Sequence, residues 1–387
     1  MLADVDAPSV LTAAQAGSRY GYEVLFTLVA LVPVLYLLQE MTARLGTTTG
    51  LGHAELIRVR YGSRWAGIAV LSMVGIDLVA YTAEFAGIAL GAGLLGISPA
   101  VAIIGALAVH SAVVLSGSYR GFERLTLVLS LALFAFVPLA IAQGPDLARV
   151  VGGLNPIPAH PDREFLGLVV ANVGASVMPW MLFYQQAATV DKGLRPDDLP
   201  AARRETLVGA IVSQGLMVAI VVAAAAAREG ALRIDAAGAL PAGLVALTSN
   251  GMAGVVAVGL IGAGLLAAVV ISLSSAWAWC EWLGWPHSLN FSIRRAPGFY
   301  AVYLLEVVPA ALVALASEQL VSLVLDAMIL NVLVLVVPLV FLVRLSSDRS
   351  LLGDRANSRT RATVLWVLTG VVLVLGVAGT ASALFAA

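Results

Sequence analysis

Long apolar segments, separated by short polar ones, dominate the pattern of residues along this chain. A helix that crosses a bilayer needs about 20 mostly apolar residues. Segments of that kind lie at 22–43, 65–92, 99–117, 121–143, 200–227, 251–283, 299–316, 319–345 and 362–386. Apolar residues run continuously instead of alternating with polar ones, which is typical of membrane helices and not of membrane strands. The pattern predicts an all-α membrane protein with many spans.

Two further apolar segments are interrupted by proline. Segment 1–16 is broken at Pro8, and segment 164–190 is broken at Pro179. Proline removes a backbone hydrogen bond and frees carbonyl groups, which in a bilayer must face protein or a watery cavity. With these two, the sequence predicts about eleven transmembrane helices. The first is incomplete because the chain starts so close to its break, and we therefore expect the native protein to begin further upstream.

The composition excludes several classes of protein. Of the 387 residues 60% are hydrophobic and 12% are charged, whereas soluble domains have about 25% charged residues. The net charge of −1 provides no basic surface for nucleic acid. A single cysteine, Cys280, excludes a disulfide framework. The sequence contains neither a zinc-protease HExxH motif nor a Ser/His/Asp arrangement, so we do not expect an enzyme.

Basic residues predict the orientation in the membrane. When the N-terminus is taken as cytoplasmic, most of the 22 lysines and arginines fall in cytoplasmic segments. Such a bias is the usual signature of topology. We therefore expect a multi-pass protein of a bacterial-type inner membrane with a cytoplasmic N-terminus.

The two breaks fall in the first and the sixth predicted span, five helices apart. This spacing is typical of inverted five-helix repeats that form a binding site where they meet. It predicts one transmembrane domain, 1–387, with repeats at 1–143 and 164–345 and an extra helix at 362–386. Two ordinary proline kinks are the alternative interpretation.

Asp6 and Met178 lie beside the breaks and are the strongest candidates for binding chemistry. A charged residue at a helix centre costs about 2.5–3.5 kcal/mol, so Asp6 needs a partner or a function. A carboxylate beside freed carbonyls favours a hard cation. The sulfur of Met178 suits softer transition metals, unless this side chain only packs. Ser9 either adds a hydroxyl ligand or caps the half-helix that follows.

These residues resemble a known family. Asp6-Ala7-Pro8-Ser9, followed by Gln15-Ala16-Gly17, is similar to the first helix of the Nramp divalent-metal transporters, which have Asp-Pro-Gly-Asn at the same spacing from Gln-Ala-Gly. Gly174-Ala175-Ser176-Val177-Met178-Pro179 resembles their sixth-helix break. Asp-Ala at the first break and Met-Pro-Trp-Met at the second are most similar to the branch called Nramp-related magnesium transporters. Weaker similarities are Ala43-Arg44-Leu45-Gly46, Ala83-Glu84, Val308-Pro309-Ala310 and Ser347-Asp348-Arg349.

The resemblance implies a LeuT-like fold of ten core helices in inverted repeats plus one further helix. It implies that Asp6, Ser9, the carbonyl of Ala175 and Met178 bind the metal. The metal is then a transported substrate, Mn²⁺ or Fe²⁺ in most members and also Mg²⁺ in the divergent branch. No cofactor is expected, the partners are the metal ion and the lipid bilayer, and the oligomeric state is not predicted.

Three departures from the family pattern argue against proton coupling. The family's histidine after the sixth-helix proline is Trp180 here, and a second histidine is Gln185. The family's Asp-x-x-Glu pair in helix 3 corresponds to Tyr81 and Glu84 here, so the aspartate is replaced by Tyr81 and the glutamate is kept. In the family, these histidine and acid positions serve proton movement.

Other polar residues within apolar segments are weaker candidates. Asp77 and Glu84 are seven residues apart, hence roughly on one helix face, and either form a relay towards the ion or are structural acids. Asp326 and Asn331 are candidates for a role near the pathway, whereas Glu40 and Glu306 lie nearer helix ends and are expected to be structural. Two rival functions stay open, an ion-coupled carrier of a small organic solute and a metal sensor that does not transport.

Overall fold

The computed structural model describes residues 2–230, 247–248, 251–316 and 320–384, and all regular secondary structure in these ranges is helical. The first half contains α1 (Ala7–Tyr20), α2 (Leu25–Thr49), α3 (His53–Tyr61), α4 (Ser63–Leu94), α5 (Pro99–Leu115), α6 (Tyr119–Leu133), α7 (Phe136–Ala142) and α8 (Leu147–Gly152). The second half contains α9 (Arg163–Ser176), α10 (Pro179–Asp191), α11 (Leu199–Gly230), α12 (Ala253–Leu283), α13 (Pro297–Ala316), α14 (Leu320–Ser346), α15 (Arg349–Leu352) and α16 (Arg359–Leu384). Three short 3-10 helices cover Leu2–Asp4, Pro196–Asp198 and Gly353–Arg355.

The helices match the predicted spans closely. Among the described residues, 9 stretches are long and apolar enough to cross a membrane. One of them joins α6 to α7, and another joins α9 to α10 across the second break. Helix α5, with 17 residues, and α1, with 14 residues after the first break, account for the remaining two predicted spans. The prediction of an all-α multi-pass membrane protein is confirmed.

Helix α2 is longer than the apolar segment that predicted it. It extends to Thr49, beyond segment 22–43, so that Arg44 lies within the helix. Arg44 forms an ion pair with Glu40, one turn earlier, over 3.3 Å. Ion pairs between residues four positions apart stabilise a helix. A pattern of apolar residues alone does not reveal them, so the apolar segment ends before the helix does.

The packing of the helices repeats itself between the two halves of the chain. Helix α1 packs on α11, as α10 packs on α2; helix α4 packs on α14, as α12 packs on α6. The two contacts in each pair are interchanged when span 1 is exchanged with span 6, span 2 with span 7, and so on up to spans 5 and 10. This is the arrangement expected for inverted repeats. The limits of the repeats at 1–143 and 164–345, and of the extra helix at 362–386, stay predictions.

Two glycines allow other helices to approach the breaks closely. A Cβ on Gly87 would lie 2.1 Å from the Cβ of Ala7, and a Cβ on Gly174 would lie 1.9 Å from the carbonyl oxygen of Met328. Only glycine fits at such distances. Gly87 therefore brings α4 against the first break, and Gly174 brings α9 against α14 beside the second.

Candidate metal site

The first break lies between the 3-10 turn Leu2–Asp4 and helix α1. Asp6 has extended backbone angles and caps α1 by accepting the N–H of Ser9 over 2.7 Å. Pro8 follows in the first turn, where proline is tolerated because those N–H groups have no helical partner. The cap is therefore Asp6 and not Ser9, which leaves the hydroxyl of Ser9 for other contacts.

The second break separates α9 from α10. Val177 and Met178 both have extended backbone angles, and Pro179 begins α10. A residue before proline is biased towards this extended region, so the Met178-Pro179 pair explains where the helix is interrupted. The carbonyl groups at the end of α9 consequently lack part of their helical partners and are open to other contacts.

Ser9 connects the two breaks. Its hydroxyl oxygen lies 2.5 Å from Asp6 Oδ1 and 3.0 Å from the carbonyl oxygen of Ala175. It also lies 3.1 Å from the carbonyl oxygen of Asp4. Ser9 thus contacts two of the other residues predicted to bind the metal, Asp6 and Ala175, and all three are buried. The structure brings together oxygens from two segments that are more than 160 residues apart.

Glu84 completes this group from α4. Its Oε2 accepts the N–H of Ala7 over 3.1 Å, at the start of α1. The carboxyl groups of Glu84 and Asp6 lie within hydrogen-bonding reach of each other. Apart from this mutual contact, Asp6 Oδ2 and Glu84 Oε1 accept no hydrogen bond from the described residues. Two buried carboxyl groups face one another here without a neutralising lysine or arginine from the described chain.

Neighbouring helices hold the second break in place. Asn331 of α14 donates to the carbonyl oxygen of Gly174 over 2.9 Å. Asn172 of α9 donates to the carbonyl oxygen of Thr12 on α1 over 3.4 Å. Ser274 of α12 donates to the carbonyl oxygen of Trp180 over 2.8 Å. Asn331 was a predicted candidate, and its role here is to orient a carbonyl next to that of Ala175.

Met178 and Trp180 contact each other beside these oxygens. Both side chains are buried, and the indole Nε1 of Trp180 donates to the sulfur of Met178 over 3.0 Å. Trp180 therefore touches a predicted metal ligand directly. Its indole is a donor only and cannot relay a proton.

Asp77 and Tyr81 do not reach the breaks. Asp77 accepts a hydrogen bond from Ser275 of α12 over 3.1 Å. The Tyr81 hydroxyl lies 3.1 Å from Nε2 of His110. Both side chains take part in a buried polar network between α4, α5, α12 and α13, and only Glu84 of the predicted helix-3 candidates joins the first break.

Gln185 lies on the other side of α10. It lines a cavity of about 200 Å³ together with Tyr184 and Thr189 of the same helix, Lys192 beyond its end, and Glu205 of α11. Lys192 forms an ion pair with Glu123 of α6 over 2.7 Å at this cavity. The backbone of Asp326 belongs to α14, but its side chain lies outside the part that the structure describes.

Sequence reasoning missed three buried polar residues of α9 and α12 that bond to other helices. Asn172, Ser274 and Ser275 are buried polar residues within long apolar helices. Their signal was visible, because a hydroxyl or amide in an apolar span usually bonds to another helix. The partner of each could not be predicted from one helix alone.

The ligand set is unlike a conventional metal cluster. Among the described residues no three His, Cys, Asp or Glu side chains come together to hold a metal ion. Near the site, His53 of α3 lies 3.0 Å from Gln186 of α10, and burial lowers the pKa of His53 to about 4, partly offset by this hydrogen bond. His53 is thus neutral at physiological pH. Among the described residues, the breaks present the oxygens of Asp6, Ser9 and Ala175, with the sulfur of Met178 beside them.

Comparisons with known proteins agree with this geometry. The family model described as Natural resistance-associated macrophage protein-like matches residues 1–382. The chain belongs to the Nramp family. It is 32% identical over 389 residues to the divalent metal cation transporter MntH of Ralstonia nicotianae, a match that covers 93% of this chain and 84% of the relative. A second MntH, from Acidiphilium cryptum, is 29% identical and covers 97% of this chain and 86% of the relative.

Solved structures show the same fold. A manganese transporter of Eremococcus coleocola superimposes with a TM-score of 0.75 at 20% identity, covering 98% of this Nramp chain and 84% of the other. Mhp1, a nucleobase-cation-symport-1 family transporter, superimposes with a TM-score of 0.58 at 14% identity, covering 98% and 89%. The predicted Nramp resemblance and the predicted LeuT-like fold are confirmed.

Proposed function

We propose that this Nramp protein transports divalent metal cations across a bacterial-type inner membrane, with its N-terminus in the cytoplasm. The observation that carries the proposal is the contact of the Ser9 hydroxyl with oxygens from both breaks, Asp6 Oδ1 and Ala175 O. A cation that binds these oxygens contacts both half-helix pairs at once. The MntH relatives, named divalent metal cation transporters, support the substrate class.

The proposed ligands are Asp6, Ser9, the carbonyl of Ala175 and the thioether of Met178. Three of the four donors are oxygens, which suit Mg²⁺ and Mn²⁺, and one is a sulfur, which suits softer ions. Glu84 adds negative charge behind Asp6 and fixes the start of α1 through the N–H of Ala7. The metal ion is the substrate in this proposal, and Mn²⁺ and Mg²⁺ are its leading candidates.

Transport proceeds by alternating access around this site. The ligands sit on α1 and α9–α10, whereas Glu84 and the supporting Ser274 sit on α4 and α12. Rocking of the broken helices against the other two opens the site to one side at a time. The cavity at Gln185 provides the exit towards the cytoplasm, and Lys192 and Glu205 give it a polar lining.

Proton coupling is not part of the proposal. Trp180 and Gln185 have no titratable group, and a tyrosine such as Tyr81 ordinarily titrates near pH 10. None of these three positions transfers protons at neutral pH. In this proposal Asp6 and Glu84 provide negative charge for the cation and do not begin a proton relay.

The test is uptake by liposomes that contain the purified full-length protein, a metal-sensitive dye and a pH-sensitive dye. We expect uptake of Mn²⁺ and Mg²⁺ without acidification of the lumen. Acidification that accompanies uptake would contradict the uncoupled mechanism. Metal binding without uptake would indicate a sensor, and neither binding nor uptake would leave the organic-solute carrier as the surviving alternative.

A further inference from the structure

The hydrogen bond between Trp180 and Met178 engages the sulfur of Met178, which is the only soft ligand atom of the proposed site. The indole Nε1 lies 3.0 Å from the sulfur, and neither side chain is reached by solvent to more than 1%. No other partner of the Met178 sulfur is present among the described residues. The thioether thus has a bonding partner within the protein.

Local structure fixes the backbone that carries the indole. Met178 is extended because Pro179 follows it, and Trp180 lies in the first turn of α10. The carbonyl of Trp180 accepts the hydroxyl of Ser274, which ties this turn to α12. Ser274 also lies 3.9 Å from the sulfur of Met73 on α4. The backbone of this turn is consequently anchored to α12, and the indole it carries is buried.

The effect of this hydrogen bond on metal affinity depends on the kind of cation. A sulfur that accepts an N–H has less electron density to donate, and a metal ion that draws the sulfur closer must stretch or break this hydrogen bond. Soft ions such as Cd²⁺ gain most from sulfur and therefore lose most from this competition. Mg²⁺ prefers oxygen ligands and retains water molecules, so it loses little.

We infer that Trp180 is a positioning residue that lowers the selectivity of the site for soft over hard divalent cations by holding the thioether of Met178. The inference rests on the proposed function, because it takes Met178 as a ligand of the transported ion. It assigns a role to a side chain at a position where the family's histidine is absent. Trp180 itself does not contact the ion.

The test compares Trp180→Phe with the wild type in equilibrium binding of Cd²⁺, Mn²⁺ and Mg²⁺ by calorimetry. Phenylalanine keeps an aromatic ring and removes the N–H. We expect the ratio of Cd²⁺ affinity to Mg²⁺ affinity to rise between about twofold and about tenfold, the effect of one net hydrogen bond on an equilibrium. Mn²⁺ should lie between the two ions.

A double-mutant cycle separates this mechanism from a general loosening of the site. In a Met178→Leu background the substitution Trp180→Phe should leave the Cd²⁺ to Mg²⁺ ratio unchanged, because no sulfur remains. Trp277→Phe is the matched control, since Trp277 is equally buried but packs on Tyr184 and Phe299. If Trp180→Phe does not fold, Trp180→Leu removes the same N–H and is measured in its place.

Two results would overturn the inference: an unchanged ratio in the Trp180 variant, or the same rise in the Met178→Leu background. Both are read from binding and do not depend on transport. Failure of the wild type to take up any divalent metal in liposomes would instead contradict the proposed function. The two failures are therefore distinguishable.

Discussion

Glu40 and Asp6 are equally inaccessible acids in very different surroundings. Glu40 accepts from Nε and Nη2 of Arg203 over 3.0 and 2.9 Å, and it also pairs with Arg44 and Arg361. These contacts tie α2 to α11 and α16. Asp6, by contrast, faces the carboxyl group of Glu84 and has no guanidinium or ammonium partner in the described chain.

The difference separates a structural acid from an acid kept available. Burying a charge is costly unless it is paired, and Glu40 is paired three times over. Asp6 and Glu84 have no such partners, and the N–H groups of Ser9 and Ala7 hold their carboxyl groups at the same break. Asp6 and Glu84 lack a cationic partner, and a metal ion that enters the site supplies one. The predictions below probe this contrast.

The largest expected effect is that of Asp6→Asn on transport. Asparagine still accepts the N–H of Ser9 and caps α1, but it removes the negative charge from the break. We expect metal uptake in liposomes to fall to the level of protein-free vesicles, with no loss of thermal stability. Asp162→Asn is the matched control, because Asp162 caps α9 by accepting the N–H of Phe165 over 2.7 Å. Equal uptake in the two variants would contradict the assignment.

Glu40→Gln should produce the opposite result. Removing this carboxylate leaves three guanidinium groups without their common partner, which costs about 3 kcal/mol for a buried pair. We expect a lower unfolding temperature in detergent and unchanged metal affinity of the folded fraction. Glu164→Gln provides the comparison, because its exposed pair with Arg19 contributes little. A Glu40 variant that is stable but inactive would reverse the contrast drawn above.

Glu84→Gln should weaken binding less than Asp6→Asn does. Glutamine can keep the hydrogen bond to the N–H of Ala7 while the charge behind Asp6 is lost. Groups that support a ligand in this way contribute about 10- to 100-fold to metal affinity. Calorimetric titration with Mn²⁺ measures the loss, and a loss as complete as that of Asp6→Asn would show that Glu84 is itself a ligand.

Asn331→Leu should have a smaller effect still. This change frees the carbonyl of Gly174, next to the carbonyl of Ala175 that we propose as a ligand. We expect about a tenfold loss of Mn²⁺ affinity, near the lower limit for such supporting contacts. Fluorescence competition with a metal-sensitive dye is sufficient for this measurement. Unchanged affinity would show that the position of this carbonyl does not depend on α14.

The smallest effect concerns pH and the loop before α9. Burial alone would raise the pKa of Glu23, but hydrogen bonds from the His160 ring and from the N–H groups of His160 and Ala159 outweigh it and lower the pKa. This contact therefore stabilises the protein above the unfolded pKa of about 4.3 and is lost as the pH falls. The difference in unfolding temperature between wild type and Glu23→Gln should shrink towards pH 3. A difference in unfolding temperature that grows as the pH falls would contradict this prediction.

The sequence predicted the helical class, the large number of spans and both breaks, because bilayer thickness and proline impose strong local patterns. It also pointed to Asp6, Ser9, Ala175 and Met178, through chemistry and family resemblance. It could not predict that Glu84 and Asp77, on one helix, have different partners, since this depends on which neighbour each turn of α4 meets. The role of Asn331 and the Trp180–Met178 contact likewise depend on distances between helices.

The Ser9 hydroxyl has one hydrogen and three acceptor oxygens within 3.1 Å, those of Asp6, Asp4 and Ala175. The hydroxyl can donate its single hydrogen to only one of these oxygens at a time. A divalent ion is not limited in this way, because it attracts several oxygens at once and needs no hydrogen to do so.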